Sequence, residues 1–434
     1  MKRFICVMLC ALLILPALAE DAVGALAVSE ALEAGESEMV YGLFDETMRA
    51  AMTVDALAAV LPQLKAANGK LLQFGGEETT STGPYVISTI RVSFEKGDLL
   101  LAVTFLNGKI AGMYFSPIAR EKTAEYEVPQ GLMEEDFSVG DPALPGTLTL
   151  PVGASSPLPA VVLLHGSGPN DRDESIGQTK MFRDLAEMLA EKGIAVLRYD
   201  KRTLVYGGSY TQADLKTFTV DEESIRDAVA AAELLRSDPR ISQVFLVGHS
   251  MGAIIAPRIA QENPGLFDGI ILLSGTPKTL GEIVLSQNQA LVDALPPLTK
   301  AIGQIQMQGL RMEWNNLLNS TEEEAKNKTV FGQPAYYFWE MAQYDTGEIL
   351  QALDIPVLII NGGRDFQVVD ADGIDAWNAL NLPDNVQVCY YPELNHLLMD
   401  PDAPEEARGT VKEYDTPCHV SQEIIAEIAE FILK

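Results

Sequence analysis

A chain of 434 residues is too long for one ordinary hydrophobic core, and its length points to two or three folded units. Its 47% hydrophobic content fits a well-filled interior, and its formal charge of −30 comes from 31 basic against 61 acidic residues. So acidic a surface repels phosphate backbones and anionic lipid, which excludes nucleic acid and the membrane face as partners.

The first residues read as a leader. Lys2 and Arg3 precede an apolar run from Phe4 to Leu15, and small Ala17 and Ala19 come just before Glu20 and Asp21. This is the pattern of a secretory signal peptide over residues 1–19; the apolar run falls short of the roughly 20 residues a bilayer span requires. The expectation is a secreted or periplasmic protein with no membrane association after cleavage. Removing the leader leaves 29 basic and 61 acidic residues, a balance of −32. Only Cys389 and Cys418 then remain, too few for a zinc site and open to one disulfide or two free thiols.

Residues 28–65 carry helical periodicity, with Leu43, Phe44, Met48, Leu57 and Leu61 recurring at three- and four-residue steps. From 70 to 115 the pattern alternates, with three β runs broken by Lys96-Gly97-Asp98 and Asn107-Gly108-Lys109, both hairpin signals. A small α+β domain is predicted over 24–118. Residues 30–118 resemble the small cystatin-like domain found ahead of some bacterial hydrolases. The domain contains no His or Cys and its acids are scattered, so a structural or pocket-shielding role is expected. Residues 119–140 are charged and aperiodic, and read as a linker.

From 141 onward strands and helices alternate. Strands are predicted at 160–166, 194–200 and 244–248, in "GIILLSG", "VLIINGG" and "VQVCYYP"; helices are predicted near 180–192 and 221–236 and from Ser421 to the end. This alternation predicts an α/β fold: a mainly parallel, doubly wound sheet covered on both faces. Chemistry in such sheets gathers at the carboxyl ends of the strands.

At one such end stands Ser250, in Gly248-His249-Ser250-Met251-Gly252. A serine on a sharp strand-to-helix turn needs small neighbours, which Gly248 and Gly252 supply. Its hydroxyl is a weak nucleophile at neutral pH and needs a base. Of four histidines, His249 adjoins the serine and should face away from it, His165 belongs to another turn, and His419 opens the last helix. His396 remains, on a loop just past the strand at 386–391. The acid that orients it is expected at Asp365, on the loop after a buried strand, with Asp370 and Asp372 as nearby alternatives. Amide donors for a developing oxyanion are expected from Ser167 and Met251, with His165, Gly166 and Gly168 forming the supporting turn.

"HGSGPNDRDE", "LRYDKR", "VGHSMG", "NGGRD" and "LNH" together make residues 141–434 resemble the α/β-hydrolase superfamily, in particular secreted or periplasmic bacterial serine esterases. The resemblance implies Ser250 as nucleophile, Asp365 and His396 as its partners, and Ser167 with Met251 as the oxyanion hole. It departs from the family where Thr203, Leu204 and Val205 follow the arginine of "LRYDKR" in place of an early glycine. Related hydrolases that act on dienelactones use cysteine, which Ser250 argues against. Asp171, Arg172 and Asp173 read as a structural ion-pair loop.

Between 276 and 350 an insertion with helical periodicity reads as a cap. Its Tyr336, Tyr337, Phe338 and Trp339 are either pocket lining or core. Glu322, Glu323 and Glu324 are either a clamp for a substrate amine or acids at a helix start capped by Ser320 or Thr321. The expected activity is hydrolysis of small-molecule carboxylic esters through an acyl-enzyme, with no metal or cofactor required. The alternatives are an aminopeptidase or thioesterase on the same triad, or a non-catalytic binding module.

Overall fold

A computed structural model describes residues 24–82, 85–95, 97–118, 127–154, 157–207 and 210–434. The leader predicted over 1–19 and residues 119–126 of the predicted linker lie outside them. The chain divides into two units, the first ending at Tyr126 and the second starting at Glu127. Among the described residues no helix is long and apolar enough to cross a membrane.

The first unit places four helices, α1 (Ala25–Glu33), α2 (Ser37–Gly42), α3 (Glu46–Ala51) and α4 (Val54–Asn68), before an antiparallel sheet. The continuous periodicity of 28–65 is cut where Gly35 takes φ +82° and where Asp45 and Thr53 cap new helices through their side chains. The sheet has four strands in sequence order, β1 (Leu71–Thr82), β2 (Tyr85–Phe94), β3 (Asp98–Leu106) and β4 (Lys109–Ile118). Three were expected; β1 is polar, and register shifts at Leu71/Gln73 and Phe74/Glu77 hide its alternation. Asn107 and Gly108 both take positive φ, as the tight hairpin between β3 and β4 demands. Val40, Phe44, Leu57 and Leu61 bury one helical face against Ile90, Val92, Leu101 and Val103.

The second unit is built on an eight-stranded sheet. Its strands are β5 (Leu132–Val139), β6 (Leu144–Pro151), β7 (Leu158–Leu164), β10 (Ala195–Tyr199), β11 (Ile241–His249), β12 (Gly269–Leu273), β15 (Val357–Gly362) and β16 (Val386–Tyr391). The two-residue strands β8 (Ser175–Ile176) and β9 (Thr179–Lys180) form a separate hairpin, as do β13 (Thr329–Val330) and β14 (Gln333–Pro334). The order across the main sheet is β16-β15-β12-β11-β7-β10-β6-β5, parallel from β16 to β10 and antiparallel at the last two pairings. Strict alternation sends Val162, Leu246, Leu272 and Ile359 into the core on one face, and Val161, Val247, Ile271 and Leu358 into the core on the other. The first core is closed by α8 (Arg226–Ser237) and α9 (Met251–Glu262), the second by α5 (Met181–Glu191) and α16 (Gln422–Leu433).

One expectation is corrected here: residues 132–139, read as linker, form β5, paired along its whole length with β6. Its acids concealed it. Glu134 accepts from Arg198 Nη2 at 2.7 Å and Glu135 from Arg240 at 2.8 Å, so a charged sequence is satisfied on a sheet edge. Cys389 and Cys418 are both free.

Candidate active site

β11 ends at His249 and α9 starts at Met251, leaving Ser250 alone in the turn at φ +53°, ψ −116°, a region few side chains occupy. Such strain persists only where the surroundings over-determine it. The Ser250 N–H donates to the Leu273 carbonyl at 2.9 Å, and its own carbonyl accepts from Ala253 and Ile254. The flanking glycines permit the close packing: a Cβ on Gly248 would stand 2.3 Å from the Gly252 carbonyl oxygen, and one on Gly252 would stand 2.3 Å from that of Leu164. The amide of Met251, in the first turn of α9, has no carbonyl within the helix to bond.

Asp365 lies on the loop after β15 and His396 on the loop after β16. His396 Nδ1 donates to Asp365 Oδ2 at 2.7 Å, with both side chains almost wholly buried. The other Asp365 oxygen accepts the backbone N–H groups of Gln367 and Val368, each at 2.8 Å, which fixes the carboxylate in place. The two loops approach closely because Gly362 has no Cβ; one there would lie 2.3 Å from the Leu394 carbonyl oxygen. Asn395 shapes the histidine loop, its Oδ1 accepting from the amides of Leu397 and Met399. The alternative acids are engaged elsewhere, Asp370 with the Tyr390 hydroxyl and Asp372 with Lys278 and Ser286. His419 bonds Asp184 with its ring largely exposed. His165 Nε2–H donates to the Asp171 carbonyl at 3.1 Å, and burial depresses the ring's pKa to about 4.

The structure thus joins Asp365 directly to His396 and brings Ser250 alongside through its neighbour. Among the described residues no hydrogen bond links the Ser250 hydroxyl to His396. Instead, His249 donates from Nε2 to the His396 carbonyl at 3.1 Å, and the two rings lie 4.9 Å apart. The opposite nitrogen of His249 lies 3.0 Å from Glu174 Oε2, whose other oxygen accepts the Gly166 N–H at 2.8 Å. Burial disfavours charge on both partners, yet Glu174 raises the His249 pKa and His249 lowers that of Glu174. His249 therefore ties the serine turn to the histidine loop, a role its position beside the serine did not reveal. Glu174 was missed altogether, although a carboxylate in a glycine-rich loop after a buried strand is a signal.

The loop after β7 passes directly beside the serine: a Cβ on Gly166 would stand 3.2 Å from Ser250 Cβ. Gly168, at φ +94°, turns the chain there. Arg172 grips Asp200, and Asp173 is held by Lys180, Arg183 and Arg198, the structural ion-pair loop expected of this segment.

The cap region holds α10 (Leu280–Asp293), α11 (Pro297–Leu318), α12 (Glu322–Ala325), α13 (Ala335–Met341) and α14 (Thr346–Ala352). Tyr336, Phe338 and Trp339 pack onto the cap's own core with Trp314 and Leu317. Tyr337 points the other way, its hydroxyl donating to Glu223 and lying 3.3 Å from Met251 Sδ. Thr321 caps α12 in a reciprocal box with Glu324, and Glu322 is taken up by Lys326 and the Tyr336 hydroxyl. These acids are an exposed helix start, as one of the two readings held.

An eight-stranded, mainly parallel sheet with a strained serine turn, a buried aspartate and its histidine on the carboxyl-end loops defines an α/β-hydrolase. The chain belongs to the family described as Hydrolase_4, serine aminopeptidase, S33, whose model matches residues 155–402, more than half of its length. Residues 25–113 match a family described only as a protein of unknown function, DUF3887. Esterase EstD of Thermotoga maritima is 34% identical over 406 residues, covering 92% of each chain. Human monoglyceride lipase is 29% identical over 119 residues, covering 27% of this chain and 35% of its own. Among solved structures, an esterase of Pyrococcus furiosus aligns with a TM-score of 0.40 at 17% identity, over 70% of this chain and 91% of its own. Est1E of Butyrivibrio proteoclasticus aligns with a TM-score of 0.43 at 16% identity, over 69% and 99%.

Proposed function

We propose that this hydrolase cleaves small-molecule carboxylic esters through an acyl-enzyme formed on Ser250. The observation that carries the reading is the 2.7 Å bond from His396 Nδ1 to buried Asp365, on loops flanking the strained serine turn. With Nδ1–H held by the carboxylate, Nε2 is left as the base. It takes the proton of the Ser250 hydroxyl as the oxygen attacks the ester carbonyl, and Asp365 stabilises the imidazolium that forms. The amides of Met251 and Ser167 receive the negative oxygen. His396 then protonates the leaving alkoxide, and a water molecule, deprotonated by the same ring, releases the acid. A serine–histidine bond that tightens only when substrate is bound fits this sequence.

The family description favours a second reading, cleavage of peptides with a free amino terminus. An amine needs an uncompensated carboxylate, and four acids around the serine and cap with little solvent exposure are already paired: Glu174 with His249, Glu223 with Lys201, Glu340 with Arg258, and Asp372 with Lys278. That accounting, with the identity to an esterase over nearly the whole chain, supports esters. The leader sequence supports export as the setting.

Ser250→Ala should lower turnover of short p-nitrophenyl esters by at least about 10³-fold and abolish fluorophosphonate labelling. Retained turnover would overturn the mechanism. A higher kcat/KM on aminoacyl amides than on matched esters would instead move the activity to the second reading.

A further inference from the structure

Lys201 is 1% exposed, an ammonium taken out of water at the end of β10. Burying a Lys–Glu pair adds little to stability compared with apolar residues of the same volume. Where its protons go is therefore informative. One goes to Glu223 Oε1 at 2.8 Å and another to the carbonyl oxygen of Gly166, also at 2.8 Å. That carbonyl is one end of the peptide group whose other end is the N–H of Ser167. A donor on the oxygen of an amide withdraws electron density from its nitrogen and makes the N–H a stronger donor, and it also holds the plane of the amide against rotation. The segment needs holding, since Gly166 and Gly168 leave its backbone freer than side-chain-bearing residues would. Asn170 Nδ2 gives a second, longer bond to the same carbonyl at 3.2 Å, and Glu174 secures the Gly166 N–H.

We propose that Lys201 is a positioning residue of the oxyanion hole, its ammonium orienting and polarising the Gly166–Ser167 amide toward the developing negative oxygen. Its own placement is set from two sides. Glu223 sits on a π-helical turn, Asp221–Ile225, and accepts a hydrogen bond from Tyr337 of the cap. The same tyrosine hydroxyl touches Met251, whose amide is the second donor. One cap residue thus touches the supports of both halves of the hole, one through the Met251 side chain and the other through Glu223 and Lys201. This rests on the reading of Ser250 as nucleophile and Ser167 as donor.

The test compares wild type, Ser250→Ala, Lys201→Met and the double variant Lys201→Met/Glu223→Gln, which leaves no orphaned charge. Each is assayed for thermal midpoint, for kcat and KM on a short p-nitrophenyl ester, and for inhibition by a trifluoromethyl ketone, whose hemiketal oxyanion occupies the hole. Losing the polarisation of one donor should lower kcat by about 10- to 100-fold, less than the 10²–10³ for losing a donor outright. KM should stay within about threefold, and the ketone should lose affinity in step with kcat. The double variant should regain thermal stability without regaining kcat, an outcome a purely structural lysine does not produce. A folded double variant with wild-type kcat, or one whose ketone affinity is unchanged, overturns the assignment while Ser250→Ala remains inactive. Activity in Ser250→Ala would instead bring down the mechanism on which it rests.

Discussion

Adding a single methyl group at Gly252 tests whether the serine turn must lie against β7. An ideal Cβ there would stand 2.3 Å from the Leu164 carbonyl oxygen and 2.8 Å from that of His165. An unstrained carbon–oxygen approach is about 3.3 Å, so the two segments must separate by about 1 Å. β7 cannot yield easily, because it is paired on one side with β11 and on the other with β10. The start of α9 must lift instead, carrying Ser250 away from the His396 loop and the Met251 amide away from Ser167. A 1 Å misplacement at a reacting centre costs about 10²-fold in rate, equivalent to about 2.7 kcal/mol. Overpacking on its own costs about 1–3 kcal/mol of stability. Gly252→Ala should therefore remain folded with a thermal midpoint a few degrees lower and a kcat about 10²-fold lower on a p-nitrophenyl ester. Gly309→Ala, in α11 with nothing within 4 Å of its Cβ, is the matched control and should leave kcat unchanged. A folded Gly252→Ala enzyme with kcat within threefold of wild type would refute the argument.

Asp365→Asn keeps the shape of the acid but removes its charge and favours the wrong imidazole tautomer; kcat should fall by about 10⁴-fold with KM little changed, and a loss under tenfold in steady-state assays would remove Asp365 from the triad. His249→Gln tests the buried pair with Glu174 through pH. The His249 pKa is raised above its ordinary 6.5, so its contribution to stability is complete below 6.5 and is lost as pH rises through the raised value. Glu174, lowered from 4.5, contributes above 4.5 and loses that contribution as pH falls through its lowered value. The gap in thermal midpoint between wild type and His249→Gln should therefore be widest between about pH 4.5 and 6.5 and should close at higher pH; a gap independent of pH would show that the pair is not charged.

How much of this was legible in the sequence depended on whether a residue's role is local. A strand buried on both faces announces itself as an unbroken apolar run, and β7, β11, β12 and β15 were all readable for that reason. The positions of Ser250 and Asp365 at strand ends were readable because each follows such a run, and that of His396 because it follows the alternating edge strand β16; the strand ends bring these distant segments together. β5 and β1 were not, since an edge strand can carry Glu134 and Glu135 once arginines elsewhere satisfy them, and Gly75-Gly76 interrupts the alternation of β1 between Phe74 and Glu77. The division of the first helical stretch into four turned on side-chain caps at Asp45 and Thr53 that also look like ordinary polar residues of one amphipathic helix.

The residues that hold the site together were hidden for a different reason. Glu174, Lys201 and Glu223 are charged residues in loops or at a helix entry, where solvent exposure is the ordinary expectation. Each is almost wholly buried, and each is paired with a group that no spacing rule connects to it. Glu174 and Lys201 take opposite ends of Gly166, one at its N–H and one at its carbonyl. Reversing the two charges would put a carboxylate against a carbonyl and an ammonium against an N–H, so the arrangement has a sense. With a positive group at the carbonyl, the adjoining Ser167 N–H becomes a better donor, the polarity that stabilisation of a negative oxygen requires. Charge buried at this cost near a serine turn is better explained by what it does to that amide than by the stability it adds.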